Sequence, residues 1–172
     1  MNTVRVYHGA VTLALRPLTL DDTAAVHRWA CLPEACRYQV WGPNTYEQTQ
    51  AYVREAVAAR PERLVFGVLV DGELVGSAEL RLRGRSTGEI AYVVHPRRWG
   101  QGIATAAARE LVRMGFEDHG RHRVFATCDP RNVASAAVLL KIGMRYEGRM
   151  RGTAFVRDGW RDSDLYAILA SD

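Results

Sequence analysis

Residues 97–102 read Arg97-Arg98-Trp99-Gly100-Gln101-Gly102, and they stand between a β-branched run and an amphipathic one. A helix start presents N–H groups with no intrahelical partner and the positive end of the helix dipole. Such ends hold anions. Gly100 and Gly102 let the backbone approach a ligand with no Cβ in the way, and Arg97 and Arg98 add positive charge. Phosphate is the chemistry this combination suits. The plain alternative is a tight strand-to-helix turn in which glycine is only conformational. A P-loop is excluded, because it requires a lysine directly after its glycines and the single lysine here is Lys141. A dinucleotide fingerprint requires a third small residue after Gly-x-Gly-x-x. That position is Thr105, and the preceding strand follows an antiparallel hairpin in mid-chain, which fits poorly.

The elements that position this turn follow from periodicity. Residues 11–17 alternate as a strand that Pro17 stops. Thr19-Leu20-Asp21-Asp22 opens a helix running through Ala24, Val26, His27 and Trp29, with acids in its first turn. Residues 31–44 read as irregular, broken by Pro33, Gly42, Pro43 and Asn44. Thr45–Arg60 is a second helix. The period then changes to two. Leu64–Val70 and Leu74–Leu82 flank the hairpin signal Asp71-Gly72. After a turn at 84–88, Glu89–Val94 is a short apolar strand with the pattern of a central one. From Gly100 to Phe116 the apolar residues Ile103, Ala104, Ala107, Ala108, Leu111 and Val112 share one helical face. A strand over 121–128, a helix over Asn132–Ile142 closed by Gly143, and two strands over 145–151 and 164–169 complete the chain, with a turn near Asp158-Gly159. The order is β-α-α-β-β-β-α-β-α-β-β. The crossover at 89–128 should be right-handed and make its two strands parallel. Helix 101–116 then starts at the carboxyl end of strand 89–94, where α/β sheets bind ligands.

Composition narrows the function classes. The 172 residues fit one domain, taken as residues 1–172, and 48% hydrophobic with 24% charged residues is ordinary for a globular protein. No window approaches 18 uncharged apolar residues and no signal-like h-region opens the chain, so neither membrane nor export is expected. Cys31, Cys36 and Cys128 are odd in number and lack zinc-site spacing, so no disulfide framework and no metal are expected, and the cytoplasm is the default compartment. The net charge of +4 comes from cations spread along the chain, which disfavours a nucleic-acid partner and suits an anionic ligand with several phosphates.

The turn, Arg97-Arg98-Trp99-Gly100-Gln101-Gly102, resembles the Gln/Arg-x-x-Gly-x-Gly/Ala signature of the GNAT acetyltransferase superfamily. Glu89–Pro96 precedes it like that family's fourth strand, and Asn132-x-x-Ser135 with Lys141-Ile142-Gly143-Met144 follows it like the family's Asn-x-x-Ser…Lys-x-Gly-Phe. Glu147-Gly148 with Gly159-Trp160-x-Asp162-x-x-x-Tyr166, and earlier Trp29 and Trp41-Gly42-Pro43, are similar to the ribosomal-protein N-α-acetyltransferase branch, the RimJ/RimL-like enzymes. The resemblance spans roughly residues 10–170. It implies an α/β (α+β) fold: a mixed, mostly antiparallel sheet with one parallel, splayed strand pair and about four helices.

The resemblance also implies chemistry. Acetyl-CoA is the acetyl donor and no metal is needed. The acceptor is a primary amine: a protein N-terminus, or a small molecule such as an aminoglycoside, an amino acid or a polyamine. A non-catalytic acyl-CoA-binding module is the alternative from a different class. The backbone of 97–105 (Arg97, Arg98, Gly100, Gln101, Gly102, Ile103, Ala104, Thr105) would wrap the pyrophosphate, Tyr92, Val93 and Val94 would pair with the pantetheine arm, and Asn132 would bond that arm from across the splay. Transfer is direct attack by a neutral amine, so a base must take a proton. Glu89 is the candidate, with a structural role beside an arginine as the alternative. A backbone N–H at Val93 or Val94 would serve the oxyanion. Many relatives place a tyrosine where this chain has Leu139; Ser135 matches the serine of the ribosomal-protein branch, with a helix-start role as its alternative. That branch also carries a glutamate where Thr153-Ala154-Phe155 stands here. Tyr38 and Trp41 fall in the segment that lines the acceptor site, with core packing as the alternative. His95 suits fixing the turn, His119 and His122 lack a third metal ligand, and Cys128 reads as buried. The chain is expected to be a monomer or a homodimer.

Overall fold

The computed structural model describes residues 4–8, 11–58, 60–157 and 159–172. Asp158, half of the expected last turn, lies outside the described residues. Eight strands form one sheet: β1 (Val4–His8), β2 (Val11–Pro17), β3 (Arg63–Val70), β4 (Glu73–Arg83), β5 (Thr87–Val94), β6 (Arg123–Cys128), β7 (Arg145–Val156) and β8 (Gly159–Leu169). Their order across the sheet is β1-β2-β3-β4-β5-β6-β8-β7. Five α-helices accompany them among the described residues: α1 (Thr23–Ala30), α2 (Pro33–Cys36), α3 (Tyr46–Val57), α4 (Ile103–Arg113) and α5 (Val133–Lys141). Every strand pair is antiparallel except β5 with β6, as the crossover requires.

That parallel pair is short. It holds register only at Thr87↔Arg123, Gly88↔Val124 and Glu89↔Phe125. Beyond Glu89, β5 stays paired with β4 up to Gly76↔Val94, while β6 stays paired with β8 to Cys128↔Asp164. The two strands therefore diverge, and the sheet opens a wedge at their carboxyl ends.

The core lies on both faces of the sheet. Leu13, Leu15, Phe66, Val68, Leu80 and Ile90 pack against Ala107, Ala108 and Leu111 of α4 and Leu139 of α5. On the other face Val65 and Leu74 meet Val26, Trp29 and Ala30 of α1 and Val53 of α3. The unbroken apolar run of β3 is explained by this double burial. Each fully buried Leu, Val or Phe contributes about 1.5–3 kcal/mol.

Three sequence expectations are corrected. The first strand is β1, five residues whose one partner is β2; so short an edge strand carries little periodic signal. Pro33 does not break structure but opens the one-turn helix α2, where its missing N–H needs no partner. The last two strands are several residues longer than the alternation shows, because register shifts between Tyr146/Gly148 and Met150/Ala154 interrupt the period without ending the pairing.

Candidate active site

At the end of β5 the chain is pinned before it enters α4. Trp99 donates its indole N–H to the Val94 carbonyl at 2.8 Å. His95 Nδ1 accepts the Arg97 N–H at 3.2 Å. Partial burial, then the nearby Arg97 and Arg28 guanidinium groups, hold the His95 imidazole below its ordinary pKa, which favours the neutral, accepting ring. Gly100 (φ 75°) and Gly102 (φ 76°) both take left-handed backbone, and Gly102 is the residue capping α4. The helical ladder begins with the Ala106 N–H donating to the Gly102 carbonyl at 3.0 Å. The Ile103, Ala104 and Thr105 amides lie ahead of that rung and face out of the helix end. Ile103 itself is buried, so its side chain anchors the turn while its amide faces outward. The two arginines differ. Arg98 is bound to Glu73 at the start of β4 at 2.6 Å, whereas Arg97 has no ion-pair partner among the described residues. Gln101 reaches back to the Arg97 carbonyl at 3.4 Å.

The wedge between β5 and β6 holds a cavity of ≈ 80 Å³. Tyr92, Cys128, Asn132, Ser135 and Leu139 are among its walls. Asn132 Oδ1 accepts the Ser135 N–H at 3.1 Å and so caps α5. The Tyr92 hydroxyl lies 3.0 Å from Ser135 Oγ and 3.3 Å from the Ser135 carbonyl. Burial pushes the Cys128 thiol up to about 11, so it is protonated at neutral pH and a poor nucleophile.

On the other side of β5 lies a cleft of ≈ 770 Å³. The segment between α1 and α3 contributes Tyr38 and Trp41, and Trp41 meets the buried Trp29 edge to face at 6.0 Å. Arg157, at the tip of the β7–β8 hairpin, donates to the carbonyls of Cys36 at 3.0 Å, Trp41 at 3.1 Å and Gly42. That clamp fastens the segment to the hairpin, which supplies Ala154, Val156 and Arg161 to the cleft wall. The floor is charged. Glu79 takes Arg63 at 2.7 Å and is also bonded by Arg81. Burial works to raise the Glu79 carboxyl, but these two guanidinium groups outweigh it and hold the carboxyl below the usual range. Glu89 accepts Arg83 at 2.6 Å and lies 3.9 Å from Arg81. Glu55 pairs with Arg63 at 2.7 Å.

The expected site residues therefore fall into three connected places. Arg97, Arg98 and residues 100–105 form the helix start. Asn132 and Ser135 line the wedge, Trp41, Glu89 and Val93 line the cleft, and Tyr38 and Tyr92 line both; Val94 is buried beneath the turn. Sequence reasoning missed Glu79, Asp129, Arg157 and Arg161. Glu79 left a signal: with Ser77 and Arg81 it places polar residues at every second position of an otherwise apolar strand. Arg157 left none. Among the described residues no group of three His, Cys, Asp or Glu side chains could hold a metal ion, and no helix is long and apolar enough to cross a membrane.

The acetyltransferase (GNAT) domain family matches residues 12–145. The uncharacterized N-acetyltransferase YnaD of Bacillus subtilis (strain 168) is 31% identical over 163 residues, covering 93% of this chain and 95% of that protein. A GNAT-family acetyltransferase from Bacillus anthracis superposes with a TM-score of 0.85 at 31% identity, covering 98% of this chain and 100% of the other. Mycobacterium smegmatis RimJ, solved in complex with CoA-disulfide, superposes with a TM-score of 0.87 at 29% identity, covering 99% and 88%. A wedge and a cleft that share the walls of one strand can bring an acyl carrier and an amine together from opposite sides, and this chain belongs to the GNAT family of acetyl-CoA-dependent N-acetyltransferases.

Proposed function

We propose that the protein acetylates the α-amino group of a peptide or protein N-terminus. The observation that carries this reading is the charge state of the cleft. Five carboxylates line it: Glu55, Glu79, Glu89 and Asp129 are each paired with at least one arginine, and Asp162 accepts the Gly152 N–H at 2.9 Å. A polyamine or an aminoglycoside brings several ammonium groups and requires unpaired carboxylates to receive them. A peptide N-terminus brings one amine, amide groups and mixed side chains, which suit an aromatic cleft with ion pairs of both kinds. The resemblance to the ribosomal-protein branch agrees.

In this reading the amides of Ile103, Ala104 and Thr105, with those of the glycine turn and the Arg97 guanidinium, receive the pyrophosphate of acetyl-CoA. The pantetheine arm enters the wedge and pairs with Tyr92–Val94, and the side-chain amide of Asn132 reaches it from the α5 side. The amine arrives through the cleft. An α-amino group has an ordinary pKa of about 7.7–8.0, against about 10.4 for lysine, so a substantial fraction is already neutral near pH 7.5. Glu89 takes the remaining proton through water, held in place by Arg83. A backbone N–H at Val93 or Val94 stabilises the oxyanion.

The test is thiol release from acetyl-CoA against N-terminal peptides, spermidine and an aminoglycoside, with Glu89→Gln beside the parent. Peptide turnover, reduced about 100-fold or more in the variant, is expected. Turnover of spermidine or the aminoglycoside with every peptide inert would overturn the acceptor assignment. Unchanged turnover in Glu89→Gln would remove Glu89 as the base.

A further inference from the structure

The reacting thioester must sit where the wedge and the cleft share walls. Those walls are Ile90–Tyr92 of β5, Thr127 and Cys128 of β6 and Asp129 just after it, with Tyr38 and Gln39. As the amine attacks, the C–N bond forms, the C–S bond breaks and an electron pair moves onto sulfur. That anion is born in a narrow, partly apolar space, where a fixed hydrogen-bond donor is worth far more than in water. The candidate donors there are few. Cys128 is a weak one, and Asn132, whose oxygen caps α5, turns its amide N–H groups to the pantetheine arm in the reading above. Leu139, one turn beyond Ser135 on α5, offers none.

Tyr92 remains. Its side chain leaves β5, crosses the wedge and ends against α5, 43 residues further along the chain, so its hydroxyl is fixed from both walls. Ser135 Oγ at 3.0 Å can donate to the phenol oxygen, which leaves the phenol proton available. The other bond of that hydroxyl, to the Ser135 carbonyl, is long at 3.3 Å and readily exchanged for one to an anion. We propose that the Tyr92 phenol, supported by Ser135, is the donor that stabilises and protonates the departing thiolate of coenzyme A. The phenol proton passes to sulfur, Ser135 passes its own proton to the phenolate, and water restores Ser135. The proton lost by the amine leaves on the Glu89 side, so the balance closes. Burial raises the Tyr92 pKa far above its ordinary value, which keeps the donor protonated throughout the neutral range.

The inference rests on acetyl transfer from acetyl-CoA through this wedge, and its test is independent of the acceptor. Coenzyme A is bound to the parent, to Tyr92→Phe and to Ser135→Ala, and the bound thiol is titrated by thiolate absorbance. Desulfo-CoA, which lacks the sulfur, is the control ligand. The parent should titrate about one unit or more below Tyr92→Phe, with Ser135→Ala between them, while desulfo-CoA binds all three equally. On the acceptor identified for the parent, kcat should fall about 100-fold in Tyr92→Phe with KM for acetyl-CoA unchanged. Equal thiol titration in parent and Tyr92→Phe would overturn the proposal. So would a matching loss of desulfo-CoA affinity, which would make Tyr92 a packing residue. A lowered thiol pKa alongside inert peptides would leave the Tyr92 assignment standing and sink only the acceptor reading.

Discussion

Replacing Gly100 separates two uses of the glycine turn, backbone conformation and close approach of a ligand. Gly100 sits at φ 75°, and a Cβ built there meets nothing within 4 Å. No clash therefore adds to the backbone term. Left-handed backbone costs an alanine about 1–2 kcal/mol, and asparagine less, because its short side chain tolerates that region. For a chain of this size each kcal/mol lowers Tm by about 2–4 °C. Gly100→Ala should thus unfold about 2–8 °C below the parent, and Gly100→Asn should recover part of that loss. Affinity for coenzyme A should behave differently. If the pyrophosphate lies directly on the backbone amides, any Cβ stands in its way, and both variants lose at least tenfold in Kd, about 1.4 kcal/mol. Scanning calorimetry without ligand gives the first quantity and titration calorimetry with coenzyme A the second. Parent-like Kd in Gly100→Asn would refute the reasoning: the glycine would then serve the turn alone.

Arg157→Ala removes the three carbonyl bonds that hold the 36–42 segment to the hairpin. It should raise KM for the acceptor several-fold while leaving KM for acetyl-CoA unchanged, because only the cleft wall is loosened. Leu139 is fully buried against the α4 side of the sheet, so Leu139→Ala should cost about 2–5 kcal/mol in urea unfolding. Asp22 accepts both arms of the Arg16 guanidinium at 2.7 Å and the Thr19 N–H at 2.8 Å. The Arg16 bonds, against burial and with help from the Thr19 N–H, hold its carboxyl below the ordinary value. Its stabilisation is therefore fully present above the unfolded carboxyl pKa of about 3.9 and is lost as pH falls through the lower folded value. Asp22→Asn should destabilise by about 1–3 kcal/mol at pH 7. The gap to the parent should shrink below about pH 4, and a gap independent of pH would mean that charge plays no part.

The period of the chain was enough to place most elements and the crossover. The helix expected from Thr45 starts at Tyr46, behind a capping box of Thr45 and Gln48 whose two arms are both present. The glycine turn was legible for the same reason: strand end, helix start and φ-permissive residues are all encoded within ten positions. The short edge strand β1, the one-turn helix α2 and the bulged ends of β7 and β8 were not, since each is too brief or too irregular for a period to show.

The sequence by itself determined the family, through its motifs, and also the glycine-led helix start and the strand beside it, because local hydrogen bonding and the handedness of the crossover decide those two. The tertiary structure decided what faces what. Tyr92 meets Ser135 because β5 and β6 part after three paired residues and α5 closes over the gap. Glu79 meets Arg63 through the β3–β4 pairing, and Arg157 meets Cys36 across 121 residues. Such contacts depend on strand register and on how far side chains reach, and neither quantity is written in the spacing of residues along the chain.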